Sequence, residues 1–108
     1  KVCMIFQPHR FSRTAQLFDD FVKVLNRTDS LILLDIYSAS EKPIRGIHSR
    51  TILESIKQLG HKDVTYLKNH KDVINLLNQK KDSFDVLVTQ GAGSVSKVCE
   101  SIKDKWKA

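Results

Sequence analysis

Short apolar runs alternate along this chain with longer stretches of helical period. Residues 1–6, 31–37, 64–67 and 85–89 read as strands, because each is compact, apolar and bounded by polar turns. Between the first two strands, a helix over about residues 13–26 places Leu17, Phe18, Phe21, Val22 and Leu25 on one face. A second helix over roughly 49–59 turns Ile52, Leu53, Ile56 and Leu59 inward, with Gly60 as its stop. Thr51 and Glu54 have capping-box spacing if that helix starts late. Asn69 is placed to cap a third helix carrying Val73, Ile74, Leu76 and Leu77. Ser94 is placed to cap a fourth, carrying Val95, Val98, Cys99 and Ile102, with Trp106 docking its end.

Four strands alternating with four helices predict an α/β chain with a doubly wound, Rossmann-like, mostly parallel sheet and right-handed crossovers. In such sheets ligands bind beyond the carboxyl ends of the strands, so function is expected in the loops that leave those ends. Those loops carry Gln7, His9, Arg10 and Arg13, then Asp35, Tyr37, Glu41, Arg45, His48 and Arg50, then Asn69 and His70, and last Thr89, Gln90 and Gly91-Ala92-Gly93. The opposite edge has polar turns such as Arg27-Thr28-Asp29 and Lys80-Lys81-Asp82-Ser83. The chain shows no internal repeat, linker or low-complexity tract, and residues 38–47 form its one long loop.

Composition narrows the class. With 108 residues, 41% hydrophobic and 28% charged, the chain reads as one ordinary globular domain. Its longest apolar run, residues 2–6, is far short of the roughly 20 residues that cross a bilayer. With no leader pattern either, a cytoplasmic home and no membrane partner are expected. Cys3 and Cys99 lie in apolar stretches without C-x-x-C spacing, which points to buried free thiols. The net charge of +6 is spread over helical faces and the tail lysines Lys103, Lys105 and Lys107, without a contiguous stripe.

The most distinctive chemistry is in Phe6-Gln7-Pro8-His9-Arg10-Phe11-Ser12-Arg13-Thr14. A helix start carries about half a positive charge, so Arg10 and Arg13 are misplaced there unless an anion sits among them. Their spacing of three puts both guanidinium groups on one face of a helical turn, where they can hold one carboxylate or phosphate. Taken alone, His9 reads more often as a hydrogen-bonded structural side chain than as a ligand or a base, and Pro8 as the stop of the strand. Gly91-Ala92-Gly93-Ser94-Val95-Ser96 is a tight strand-to-helix turn that needs backbone room, with an anion site at the helix start as the alternative. It matches a dinucleotide fingerprint poorly, since Ser96 takes the third small position and no acidic residue follows about 20 residues on. His61 and His70 have no paired ligand spacing, so no metal site is expected.

In order and spacing, FQPHRFSRT, DIYSASEKPIRG and VTQGAGS resemble the C-terminal domain of the Mur ligase family across nearly the whole chain. The resemblance implies an ATP- and magnesium-dependent amide ligase of peptidoglycan synthesis. In such an enzyme the lactyl carboxylate of UDP-N-acetylmuramate is phosphorylated by ATP and the amino group of L-alanine then attacks the acyl phosphate. It further implies that Arg10 and Arg13 clamp the alanine carboxylate, that His9 orients the alanine, and that Gln90 and Gly91 shape the far side of the pocket. The family's D-D-Y-G-H-H-P segment, with its first strand and helix, is expected before Lys1, and the UDP-substrate and ATPase domains outside this chain. No G-x-x-x-x-G-K-[ST] loop is present, so ATP and magnesium are expected to bind mainly elsewhere and the isolated domain to be inert. Phe11 stands where the family commonly has tyrosine, and Ser94 and Ser96 where it has asparagine and glycine.

Two other readings compete. A basic nucleic-acid-binding α/β module would use the positive charge on phosphates, but wants a basic stripe or stacking aromatics, and Phe18 and Phe21 sit at core-facing positions. A receiver-like signalling domain needs an acidic cluster at the strand ends, which Asp35 alone does not make.

Overall fold

In a computed structural model, which describes residues 1–91, four strands form one all-parallel sheet. They are β1 (Val2–Gln7), β2 (Ser30–Leu33), β3 (Val64–Tyr66) and β4 (Val86–Gly91), in the spatial order β3-β2-β1-β4. The connections contain α1 (Phe11–Gln16), α2 (Phe18–Leu25), α3 (Ser49–Gln58) and α4 (His70–Lys80). The fold is therefore the α/β, Rossmann-like class that the alternation of patterns predicts.

Both faces of the sheet are covered, which is why its central strands read as continuous apolar runs. Successive side chains of a strand point to opposite faces, so Cys3, Ile5, Ile32 and Leu34 pack with Val73 and Leu77 of α4. Phe6, Leu31 and Leu33 pack on the other face with Val22 and Leu25 of α2 and Ile52 and Ile56 of α3. The free thiol of Cys3 is buried in the first of these clusters, and that burial pushes its pKa up. The connections through α2 and α3 step outward from β1 to β3, and the one through α4 returns to the far side of β1. The strand order thus reverses between β1 and β4, and a crevice opens beyond their carboxyl ends.

Several boundaries differ from the expectation. The first helix is two, parted at Leu17, whose φ of −106° and ψ of 13° leave the helical region. Within α1 the Thr14 hydroxyl bonds back to the Arg10 carbonyl, a contact that tends to bend helices. The second strand ends at Leu33, because the chain leaves the sheet at Asp35 and touches it again only through the isolated His9–Tyr37 bridge. Helix α3 starts at Ser49 and is capped by His48, whose Nδ1 accepts from the Arg50 N–H at 3.0 Å, so Thr51 and Glu54 form no capping box at its start. Asn69 caps α4 as expected, accepting from Lys71 N–H at 2.8 Å, and Gly60, at φ +98°, follows the end of α3. The expected fourth helix, with Ser94, Cys99 and Trp106, lies outside the described residues.

At the opposite edge, Lys80 reaches across from the end of α4 to Asp63 and to Ser30 Oγ. Burial pushes the Asp63 carboxyl up, but hydrogen bonds from Lys80 and Ser30 outweigh it and hold the group below its ordinary 3.8. A carboxyl depressed in the folded state stabilises the fold above its unfolded value and ceases to do so as pH falls through the folded one. Acidification below pH 3.8 is therefore expected to remove this contribution. Asp63→Asn should show a shallower acid limb in thermal melts at matched pH. Because the Asp63 side chain is 41% exposed, solvent screening limits the loss near neutral pH to about 1 kcal/mol.

Candidate functional site

The segment after β1 is locked to the loop after β2 by two backbone hydrogen bonds. Tyr37 N–H donates to the Pro8 carbonyl at 2.8 Å, and Arg10 N–H to the Tyr37 carbonyl at 2.7 Å. Between them the His9 imidazole stacks on the Tyr37 ring, with centroids 5.6 Å apart and planes 18° from parallel. Arg10 is held from both sides, since its carbonyl also accepts from Thr14 N–H at 3.1 Å and from the Thr14 hydroxyl at 2.7 Å. It meets these demands at φ 69° and ψ 143°, a conformation L-residues rarely adopt and one that costs on the order of 1–3 kcal/mol. Arg10 is thus outside the helix, and the expectation that Arg10 and Arg13 share one face of a helical turn is corrected.

The anion demanded by a basic helix start comes from the chain itself. Glu41 accepts from Ser12 N–H at 3.0 Å and from the Ser12 hydroxyl at 2.6 Å. These bonds, the hydroxyl foremost, hold the Glu41 carboxyl below its ordinary value, with a smaller contribution from the Arg10 charge. Ala39 and Ser40, just before Glu41, also take positive φ, at 51° and 73°. Backbone strain therefore gathers on the loops at the carboxyl edge of the sheet.

At the reversal of strand order lies a cavity of about 270 Å³ lined by Phe6, Gln7, His9, Arg13, Phe21, Gln90 and Gly91. It unites residues of the first motif with the end of β4, because Phe6 pairs with Gln90 and Gln7 with Gly91 in the ladder. Gln90 and Gly91 are therefore strand residues and not loop residues. Arg13 lines this cavity, whereas Arg10 is not among the lining residues. Phe6 and Phe21 meet edge to face, with centroids 5.3 Å apart, and give the cavity an apolar wall. The helical period identifies Phe21 as a core residue, and nothing in that period signals its second role in the wall. Gly91 takes φ +132°, and a Cβ there would lie 2.3 Å from the Gln7 carbonyl oxygen. Chemically, the cavity combines a cation, an imidazole, a buried amide and an aromatic wall, a set suited to a small organic anion.

A second cavity of about 360 Å³, lined by His48, Arg50, Tyr66 and Lys68, opens beyond β2 and β3. Tyr66 donates its hydroxyl hydrogen bond to Asp35, and His48 Nε2 stands 3.8 Å from the same carboxylate. Burial and then the Asp35 bond push the Tyr66 hydroxyl up to about 12, so the phenol stays protonated through the neutral range. The Arg50 guanidinium lies 5.6 Å from the Tyr66 ring centroid. The chemically rich loops thus divide, with Tyr37 beside His9 and with Asp35, His48 and Arg50 around Tyr66. Tyr66 was hidden inside a short apolar run that Lys68 follows, and a tyrosine at the carboxyl end of a strand was the signal available.

Among the described residues no group of three or more His, Cys, Asp or Glu side chains is placed to hold a metal ion. His61 has a structural part instead, with Nε2 2.6 Å from the Thr28 carbonyl oxygen and Nδ1 accepting from Asp63 N–H at 3.1 Å. No helix among the described residues is long and apolar enough to cross a membrane. No protein-family model matches the chain.

Proposed function

We propose that this chain is the amino-acid-binding C-terminal domain of UDP-N-acetylmuramate–L-alanine ligase, the Mur ligase that adds L-alanine to UDP-N-acetylmuramate in cytoplasmic peptidoglycan synthesis. One observation carries the reading: Gln7, His9 and Arg13 of the first motif meet Gln90 and Gly91 of the last around a single cavity, at the reversal of strand order. A two-point, charge-assisted contact from Arg13 suits an amino-acid carboxylate. His9, fixed by its stack on Tyr37, orients the bound molecule, and Arg10 joins the clamp only as far as its guanidinium reaches in from outside the lining.

The domain's contribution is positioning. An amine held in line with an activated carbonyl converts a bimolecular encounter into a nearly unimolecular step. The described residues do not fit ATP and magnesium, since they include neither a phosphate loop nor a carboxylate cluster, so in this reading both belong to other domains of the parent polypeptide. The nucleic-acid alternative finds no support in the sheet, both faces of which are packed under helices.

Steady-state ADP formation by the parent polypeptide, with UDP-N-acetylmuramate present and L-alanine varied, tests the reading. Saturable, alanine-dependent turnover is expected. Turnover that ignores L-alanine overturns the assignment.

A further inference from the structure

The second cavity, of about 360 Å³ beyond β2 and β3, takes no part in the function proposed above, and half of the side chains that line it are already engaged. His48 accepts the Arg50 N–H at Nδ1, so in the neutral ring Nε2 carries the hydrogen, and that edge faces Asp35 at 3.8 Å. The Tyr66 hydroxyl donates to the same carboxylate. Asp35 is thus taken up by the phenol and the imidazole, and it is not among the lining residues. Arg50 and Lys68 are left over. Neither side chain stands in an ion pair or hydrogen bond among the described residues. Glu54, one turn along α3 from Arg50, forms no ion pair with it, and the first turn of α3 holds no acidic residue. Arg50 is nevertheless held in place: its guanidinium lies 5.6 Å from the centroid of the Tyr66 ring, which His48 meets edge to face with centroids 5.4 Å apart. Two cations, one from the start of α3 and one from the loop after β3, therefore share a concavity that no carboxylate lines.

We infer that this cavity is a second binding site, which takes a dianionic phosphoryl group between Arg50 and Lys68. The charge count selects the ligand, since two unpaired cations are matched by a dianion and only half matched by a monocarboxylate. A planar guanidinium fork and an ammonium point charge are also the two common protein ligands of phosphate oxygens. Tyr66 stays a neutral phenol through the neutral range, so its ring brings no negative charge to repel the group. The volume falls in the range of small-molecule sites, which leaves room for the body of a phosphate monoester. A nucleic-acid backbone would need a contiguous basic stripe, which the scattered lysines do not supply. This site shares no lining residue with the cavity between β1 and β4, so it does not depend on the amino-acid-binding reading.

The test is a two-dimensional amide NMR titration of the 108-residue chain at constant ionic strength with inorganic phosphate, glycerol 2-phosphate and, as a singly charged control, acetate. It is run at about pH 8, where phosphate and its monoesters are mostly dianions. Saturable shifts centred on residues 48–51 and 66–68 are expected with both phosphates, roughly tenfold tighter than any with acetate. Equal affinity for the two assigns free phosphate as the ligand, and tighter binding of the ester assigns a phosphorylated metabolite. Arg50→Gln and Lys68→Gln change exposed side chains, so each should melt nearly as the native chain does while binding phosphate about fivefold or more weakly. Shifts that do not saturate, or that acetate matches, describe a diffuse ion atmosphere and overturn the site. Saturable shifts confined to residues 9–14 overturn it as well, since they place phosphate at the first motif. Native affinity in both folded variants has the same force.

Discussion

Replacing Arg13 with alanine is expected, on the proposed function, to raise the L-alanine KM of the parent polypeptide about 10- to 100-fold while leaving the ATP KM within about twofold. The range follows from the roughly 1.5–3 kcal/mol of a hydrogen bond to a charged group, which the truncated side chain no longer makes. Because the carboxylate takes no part in bond making, the contact is equally strong in ground and transition states, so the loss should fall on KM more than on kcat. Arg10→Gly is the informative comparison. Arg10 is outside the cavity lining and its φ of 69° suits glycine, so this variant should leave the alanine KM nearly unchanged and raise stability by up to about 1 kcal/mol. A KM for Arg10→Gly that rises as steeply as for Arg13→Ala would show both guanidinium groups on the carboxylate. Alanine kinetics of the two variants, with thermal melts, decide the matter.

Gly91→Ala should be the most damaging single-methyl change in the described chain. The new Cβ would meet the Gln7 carbonyl oxygen at 2.3 Å and the Gln7 nitrogen at 3.0 Å. Both are backbone atoms of the neighbouring strand and cannot swing aside as a flexible side chain would. The end of β4 must move off β1, losing the Gln7–Gly91 pairing as well as adopting a strained φ. Together these cost about 2–4 kcal/mol, a fall of about 10 °C or more in Tm for a domain of this size. Gly60→Ala separates the two causes, because Gly60 has φ +98° but nothing within 4 Å of its Cβ position. Its melting temperature should fall by clearly less. Similar falls for both variants would mean that the close approach to Gln7 contributes little and backbone conformation alone matters.

Much of the scaffold was legible in the chain because burial has a period. Cys3 and Ile5 against Phe6, and Ile32 and Leu34 against Leu31 and Leu33, form runs too apolar for a one-sided sheet, and the spacing of Val73, Ile74 and Leu77 or of Ile52, Leu53 and Ile56 follows a helical period. Caps were less legible. Asn69 announced itself, but His48 displaced the Thr51–Glu54 pattern, since a cap depends on where the incoming loop delivers a side chain. The break at Leu17 is marked by no glycine or proline in the sequence around it.

The candidate site was legible as a set of residues but not as a geometry. The cations at Arg10 and Arg13 raised the expectation of an anion, and Glu41, 28 positions beyond Arg13, brings a carboxylate to Ser12 at the start of α1. Which arginine faces the cavity turns on the left-handed backbone at Arg10, itself imposed by its bonds to Tyr37 and Thr14.

By itself, then, the sequence determined the α/β class, the faces of the strands and helices, and the edge of the sheet where the chemistry gathers, because hydrophobic period and βα order are local and additive along the chain. The tertiary structure alone decided that β4 lies beside β1, so that Gln90 and Gly91 stand against Phe6 and Gln7, and that Glu41 serves Ser12. Each of these joins residues far apart in the chain, and such contacts form only when packing of the whole sheet offsets the entropy of closing the loops between them.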